Sequence, residues 1–268
     1  MLVDSHCHLD YLLRDGRDIG AVVDAAGRAD VGAMVTICTK VTEFETIRGI
    51  AHAHENVWCS VGIHPHEAGT EPAVTAERLI ELANDPKVVG IGETGLDYYY
   101  EHSPRDAQKA SFRAHIHAAR ETGLPLIVHT RDADEDTIAI LEEETERGAF
   151  PGVIHCFSSS RWLAERSVAL GLSISISGIL TFKSAQDIRD SVADVPMDKL
   201  LVETDSPYLA PVPKRGKQNE PAFVVHTAER LADLKGISTD DLAAQTTDNF
   251  YRLFSKAARP GPAAAGAA

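Results

Sequence analysis

Leu2-Val3-Asp4-Ser5-His6-Cys7-His8 opens the chain as a short strand-like run that ends in a His-x-His pair. On a strand, successive side chains point to opposite faces, so residues two apart return to the same face. His6 and His8 can therefore converge on one metal ion while Cys7 points away. On a helix the same spacing sets two side chains roughly 200° apart, where they cannot share an ion. The chain carries its own controls. His52-x-His54 and His115-x-His117 lie in helical-pattern segments and are expected, with His226, to be helix-surface residues. His102 is read as a solvated loop residue.

The pattern recurs along the sequence as a buried-type run followed by a metal-capable side chain. Gly90-Ile91-Gly92-Glu93-Thr94-Gly95-Leu96-Asp97 follows Lys87-Val88-Val89. His129 ends Leu126-Ile127-Val128, His155 ends Gly152-Val153-Ile154, and Asp205 follows Leu200-Leu201-Val202-Glu203-Thr204. Strand-like runs fall near residues 2–4, 33–38, 57–61, 88–91, 126–128, 152–154, 172–176 and 200–203. Amphipathic segments separate them at 19–28, 44–54, 76–83, 108–121, 137–146, 162–170 and 185–192, with a last helical region at 241–258 expected to pack across the barrel. Ser103-Pro104 reads as a helix start and Gly123 as a stop. Eight alternations predict an α/β protein, a single (β/α)8 barrel of the TIM type, with its active site at the C-terminal ends of the strands. The barrel is expected over residues 1–258 and a disordered low-complexity tail over 259–268.

With 268 residues and 44% hydrophobic content, the chain is long enough for one large core. It has no eighteen-residue apolar run, so no membrane span is expected. The first strand begins at once, leaving no room for a signal peptide, and the four cysteines are scattered. A cytoplasmic, reduced protein is the expectation. The net charge of −14 opposes long-range attraction of a polyanion, so a nucleic-acid substrate would have to be held locally.

His6, His8, Glu93, His129, His155 and Asp205 make six candidate ligands at one end of the barrel. One catalytic ion takes about three protein ligands and a water. Six suit two divalent cations, with Glu93 central and able to bridge. Mixed nitrogen and oxygen ligands accept Mg2+, Mn2+, Zn2+ or Fe2+. Mg2+ or Mn2+ is the expectation for function, with Zn2+ the alternative.

Longer motifs then carry a family resemblance: Asp4-Ser5-His6-Cys7-His8-Leu9-Asp10, Gly62-Ile63-His64-Pro65-His66, the 90–97 run, His129-Thr130-Arg131, His155-Cys156-Phe157-Ser158, the 203–209 run, and Arg215-Gly216-Lys217-Gln218-Asn219-Glu220-Pro221. From Leu2 to about Phe254 the chain resembles the TatD-type metal-dependent hydrolases, relatives of the amidohydrolase barrels, many of them described as deoxyribonucleases. The resemblance implies one metal on His6, His8, Glu93 and Asp205 and a second on Glu93, His129 and His155. It also implies Asp205 as the base that orients and deprotonates the attacking water and His64 as a substrate-side group or one behind the ligands. Glu203 shares strand parity with Asp205 and is expected behind the ligands. Glu93 stands where many amidohydrolase relatives carry a carboxylated lysine, and Ser159 replaces a glycine usual in the family motif.

Arg131, Lys214, Arg215 and Lys217 form a basic set expected to grip substrate phosphate. Tyr98, Tyr99 and Tyr100 either stack on bases or pack their loop. The leading expectation is a 3′–5′ exonuclease acting on single-stranded nucleic-acid ends, with a monomer compatible with the sequence. The alternatives are hydrolysis of an ester or amide, in a small or nucleotide-linked substrate such as aminoacyl-tRNA, and a non-catalytic metal-dependent binding protein.

Overall fold

In the computed structural model, which describes residues 1–259, each apolar run pairs in parallel with the next. The strands are β1 (Leu2–Cys7), β2 (Val31–Thr36), β3 (Val57–Val61), β4 (Val88–Asp97), β5 (Leu126–Arg131), β6 (Gly152–Ile154), β7 (Ser173–Ile176) and β8 (Leu200–Val202). Loop residues bring the last strand back to the first. The Asp205 N–H donates to His6 O at 2.9 Å, and the His8 N–H to Ser206 O at 2.7 Å. The buried Asp4 carboxylate reinforces this seam by accepting from the Thr204 N–H (2.8 Å) and hydroxyl (2.6 Å). The sheet is a nearly closed (β/α)8 barrel, as the alternation predicts.

The helices are α1 (Leu9–Arg14), α2 (Ile19–Arg28), α3 (Phe44–Ala53), α4 (Ala76–Ala83), α5 (Arg105–Thr122), α6 (Asp134–Glu146), α7 (Arg161–Ala169), α8 (Gln186–Ala193), α9 (Val224–Lys235) and α10 (Thr239–Leu253). None is long and apolar enough to cross a membrane. The outward strand faces and the helices share the main core. Inside the barrel, Val3, Val35, Val89, Ile127, Val153 and Leu201 pack against Phe250 and Phe254 at the end of α10, away from the histidines. Both phenylalanines are fully buried, and such burial stabilises by roughly 1.5–3 kcal/mol each.

Two irregularities aim the site residues. Asp4 pairs with Met34 and Cys7 with Thr36, three steps on β1 against two on β2. That bulge changes parity, so Val3 joins the inner core while His6, an odd number of residues on, also faces inward. Between Ile91 and Thr94, β4 likewise takes three steps against two on β5. Here β4 runs to Asp97 rather than ending at 91, so Glu93 lies within the strand rather than beyond it. Gly92 and Gly95 have φ of 135° and 133°, and an added Cβ would meet Ile127 O at 2.6 Å and His129 O at 2.0 Å. Only glycine lets β4 close this tightly on β5.

The helix start at Ser103 is corrected. Its hydroxyl donates to His66 O and accepts from the Gly69 N–H, so α5 begins at Arg105 without a side-chain cap. Gly123 ends α5 in the left-handed region at φ 68°, as predicted. The short α1 and the whole of α9 escaped the periodicity, and the final helix ends at Leu253, not 258. Of the expected tail, residues 260–268 lie outside the described residues.

His115 is a second correction. His52 and His117 are exposed, but His115 is fully buried. Its Nδ1 faces Ser111 O at 2.7 Å, and its Nε2 accepts from the Ile63 N–H at 3.0 Å, tying α5 to the residue before His64. Burial pushes its pKa from 6.5 down to about 4. The unfolded chain therefore binds a proton that the native chain refuses as pH falls from 6.5 to 4. Stability is full above 6.5 and declines across that window, by on the order of 3 kcal/mol. In His115→Gln this component is absent. Urea unfolding at pH 7.5 and 4.5 should show the wild-type advantage over the variant shrinking at the lower pH; a constant difference would exclude His115 as its source.

Candidate active site

All six candidate ligands converge at the C-terminal ends of the strands. Glu93 is central and nine-tenths or more buried, and its two oxygens face different imidazoles. Oε2 lies 3.4 Å from His6 Nε2 and 4.0 Å from His8 Nε2, with Asp205 Oδ1 3.4 Å from His8 Nε2 and 3.7 Å from His6 Nε2. Oε1 lies 2.7 Å from His155 Nε2, 3.1 Å from His129 Nδ1 and 3.4 Å from His64 Nε2. Burial opposes the ionised Glu93, but the His155, His64 and His6 imidazoles outweigh it and hold the carboxyl well below its usual range. Asp205 is also lowered despite burial, through His8, His6 and His155. It sits at φ 56°, a left-handed conformation that Asp tolerates better than most residues.

The far sides of the rings decide what the near sides can do. His129 Nε2 meets Asp97 Oδ2 at 3.1 Å, and His155 Nδ1 lies 3.3 Å from Glu203 Oε1. Carboxylates there favour protons on those nitrogens, so a cation could take the lone pairs of His129 Nδ1 and His155 Nε2, only 3.3 Å apart. Without one, burial opposes the charged rings, but Glu93 and the outer carboxylates outweigh it and raise both imidazoles' pKa, so protons face Glu93 instead. Glu93 Oε1 lies between them. On the other side, His6 Nε2 is buried without a hydrogen-bond partner, facing two carboxylates. Imidazoles and carboxylates crowded in this way must share either protons or cations, and both clusters fit divalent ions. Spatial grouping also joins His6 and His155 to Glu203. Those two rings stack at 3.9 Å with their other edges toward Glu93, so Glu203 serves the proton-bearing side of His155 rather than a further ion.

Glu203 lies on the side of His155 away from Glu93 and also accepts the Cys156 N–H. Asp97 was missed. Its Oδ2 takes both His129 and His66 (2.8 Å), and its Oδ1 takes the Tyr99 and Tyr100 N–H groups. A signal existed, because Asp97 has the parity of Glu93 once the strand extends that far. Burial pushes the Cys7 and Cys156 thiols well up, so neither presents a thiolate.

The cluster floors a cleft of about 1240 Å³. Arg131 lines it, with its guanidinium 4.0 Å over Tyr99 and 4.8 Å over Tyr100, both exposed. Tyr98 instead donates to Asp136. Tyr208 borders the opposite side near His8 and Tyr11. Lys214, Arg215 and Lys217 are not brought to the cleft wall. Lys214 lies over Phe223 and Arg215 over Phe182, while Lys217 is exposed on the loop after β8. His102 does line the cleft, 4.7 Å from the His66 ring, so it is not merely a solvated loop residue.

A family model for "TatD related DNase" matches residues 3–255. The chain belongs to the TatD family. It is 47% identical over 257 residues to an uncharacterized metal-dependent hydrolase, YcfH, of Escherichia coli K12, covering 94% of this chain and 95% of the relative. It is 36% identical over 244 residues to a protein of Escherichia fergusonii named 3′-5′ ssDNA/RNA exonuclease TatD, covering 89% and 93%. The crystal structure of the E. coli TatD homologue YJJV superposes with a TM-score of 0.87 at 29% identity, covering 95% and 98%. The chain is thus an enzyme, a metal-dependent hydrolase of the TatD family.

Glu203→Gln keeps an acceptor for Cys156 but removes the charge behind His155. Divalent-metal affinity should fall about 10–100-fold, as for other carboxylates behind a ligating histidine, with the fold retained. Metal titration of the apoprotein checks this; wild-type affinity would contradict the placement.

Proposed function

We propose that this enzyme is a two-metal phosphodiesterase that removes nucleotides from the 3′ ends of single-stranded DNA or RNA. The observation that carries the reading is the paired acceptor cluster about Glu93, opening onto Arg131 and two exposed tyrosines. His6, His8, Glu93 and Asp205 would hold one cation; Glu93, His129 and His155 would hold the other. Mg2+ or Mn2+ is favoured for function, and the same donors accept Zn2+. Such a pair supplies Lewis-acid stabilisation of phosphate oxygens and activation of a water.

The chain's own residues divide the remaining work. Glu93 and Asp205 are both ionised, but the Asp205 side chain is 14% exposed to the cleft against 3% for Glu93. Asp205 can reach a water and accept its proton, whereas Glu93 is confined among imidazoles. Arg131 meets phosphate as a bidentate donor, held in place by the tyrosine faces. Tyr99, Tyr100 and Tyr208 offer aromatic surface to unstacked bases. The E. fergusonii relative's name supports the same substrate class.

One observation favours the second reading, hydrolysis of an ester or amide in a nucleotide-linked substrate. Glu67, Asp132, Asp134, Glu135 and Asp136 also line the cleft, against Arg105 and Arg131. That wall repels a long polyanion and suits a cationic group, so a strand end fits better than a continuous strand.

Labelled single strands blocked at either end, incubated with Mg2+, Mn2+ or Zn2+ beside an ester and amide panel, test the reading. Cleavage should proceed from a free 3′ end and stop with a 3′ block, and Arg131→Gln should raise KM for the strand but not for a neutral ester. Turnover confined to the ester or amide panel would replace the nuclease reading with the second one.

A further inference from the structure

The turn after β8 holds Asp205 in a left-handed conformation at φ 56°, and Leu209 in another at φ 55°. One side of the turn is held by β1, through the Asp205 N–H to His6 O. The other side is held by one side chain from a later loop. Asn219 is fully buried, and its Nδ2 donates to Thr204 O at 2.9 Å and to Tyr208 O at 2.6 Å. A single amide group thus spans the turn, joining the residue before Asp205 to Tyr208 beyond it. Its Oδ1 accepts the Glu220 N–H at 3.0 Å, and the Asn219 N–H donates to Pro207 O at 3.1 Å. Carbonyls only accept and a backbone N–H only donates, so these partners fix which way the side-chain amide points.

The loop that bears Asn219 is anchored in turn. Glu220 pairs with Arg17 at 2.6 Å, while Gln218 accepts from Arg17 at 3.2 Å and donates to Asp15 at 2.6 Å. Asp15 and Arg17 lie in the connection between α1 and α2. Asn219 is therefore held from outside the barrel and grips the turn from behind. Truncating it leaves the Thr204 and Tyr208 carbonyls without these donors, and the left-handed Asp205 without its brace.

We infer that Asn219 is a positioning residue for hydrolysis: by bridging Thr204 and Tyr208 it fixes the backbone of Asp205, so that the carboxylate stays aimed at the water it deprotonates. Asn219 touches neither substrate nor reacting atoms and acts through Asp205. Released from the bridge, Asp205 can relax toward an ordinary backbone conformation that swings its carboxylate out of place. A displacement of about 1 Å is enough to cost on the order of 10²-fold in rate. The inference rests on Asp205 as the base and is independent of which bond is cleaved.

Asn219→Ala, Asp205→Asn and the double variant form a cycle that tests it. Turnover is measured at saturating metal and substrate, on whichever of a single strand, an ester or an amide the wild type hydrolyses. Asn219→Ala should lose kcat by about 10–10²-fold. The double variant should be no slower than Asp205→Asn, because the group being positioned is already gone. A merely structural loss would slow both backgrounds by the same factor, and that result would overturn the inference, as would wild-type kcat in Asn219→Ala. Full turnover in Asp205→Asn would remove the base itself and the inference with it, a failure visible without altering Asn219. In the metal-free protein, the Ser206 and Tyr208 amides should exchange with solvent about tenfold faster in Asn219→Ala, with the amides of β4 unchanged. Unchanged exchange at both would also overturn the inference. Asn219→Ser retains one donor and should lose less kcat than the alanine variant; it carries the same cycle if that variant does not fold.

Discussion

Glu93 carries its negative charge in a nearly solvent-free position, and the rest of the site is arranged to make that tolerable. Burying an ionised carboxylate costs several kcal/mol unless partners replace the lost water. Here the partners are imidazoles on both sides, brought from strands far apart in the chain by closure of the barrel. Their outer nitrogens face further carboxylates, His129 toward Asp97 and His155 toward Glu203, which with Glu93 raise both imidazoles' pKa despite burial, so that protons can face Glu93. Divalent cations would take the place of those protons on the inward nitrogens, which suits the metal dependence of the family.

Barrel geometry explains why so few special backbone features suffice. In β1 a bulge changes parity between Val3 and His6; in β4 another bulge and two glycines draw Glu93 toward β5. Below these irregularities lies an apolar interior closed by Phe250 and Phe254. Above them the strands end in polar side chains. The same strands therefore build stability at one end and chemistry at the other, as in other barrels of this type.

Much of this was legible in the sequence because strand parity and the position of each histidine after an apolar run are local features. His6 with His8, and the order Glu93, His129, His155, Asp205, are read without any long-range knowledge. Other residues were illegible for physical reasons. His115 is spaced like a helix-surface residue, and only the close approach of Ile63 makes it a buried acceptor. Asp97 was hidden because the glycines made β4 look shorter than it is. Lys214, Arg215 and Lys217 read as a phosphate-binding island by composition, but none is among the residues lining the cleft, and two lie over aromatic rings. Charge in a sequence identifies neither a direction nor a surface.

In the proposed mechanism Glu93 stands between two cations, one on each carboxylate oxygen. Anomalous diffraction from crystals equilibrated with Mn2+ tests it most directly. Two peaks about 3.5–4 Å apart are expected, one beside His6 and His8, the other beside His129 and His155, both within bonding distance of Glu93. A single peak, or a pair in which Glu93 touches only one ion, would contradict it.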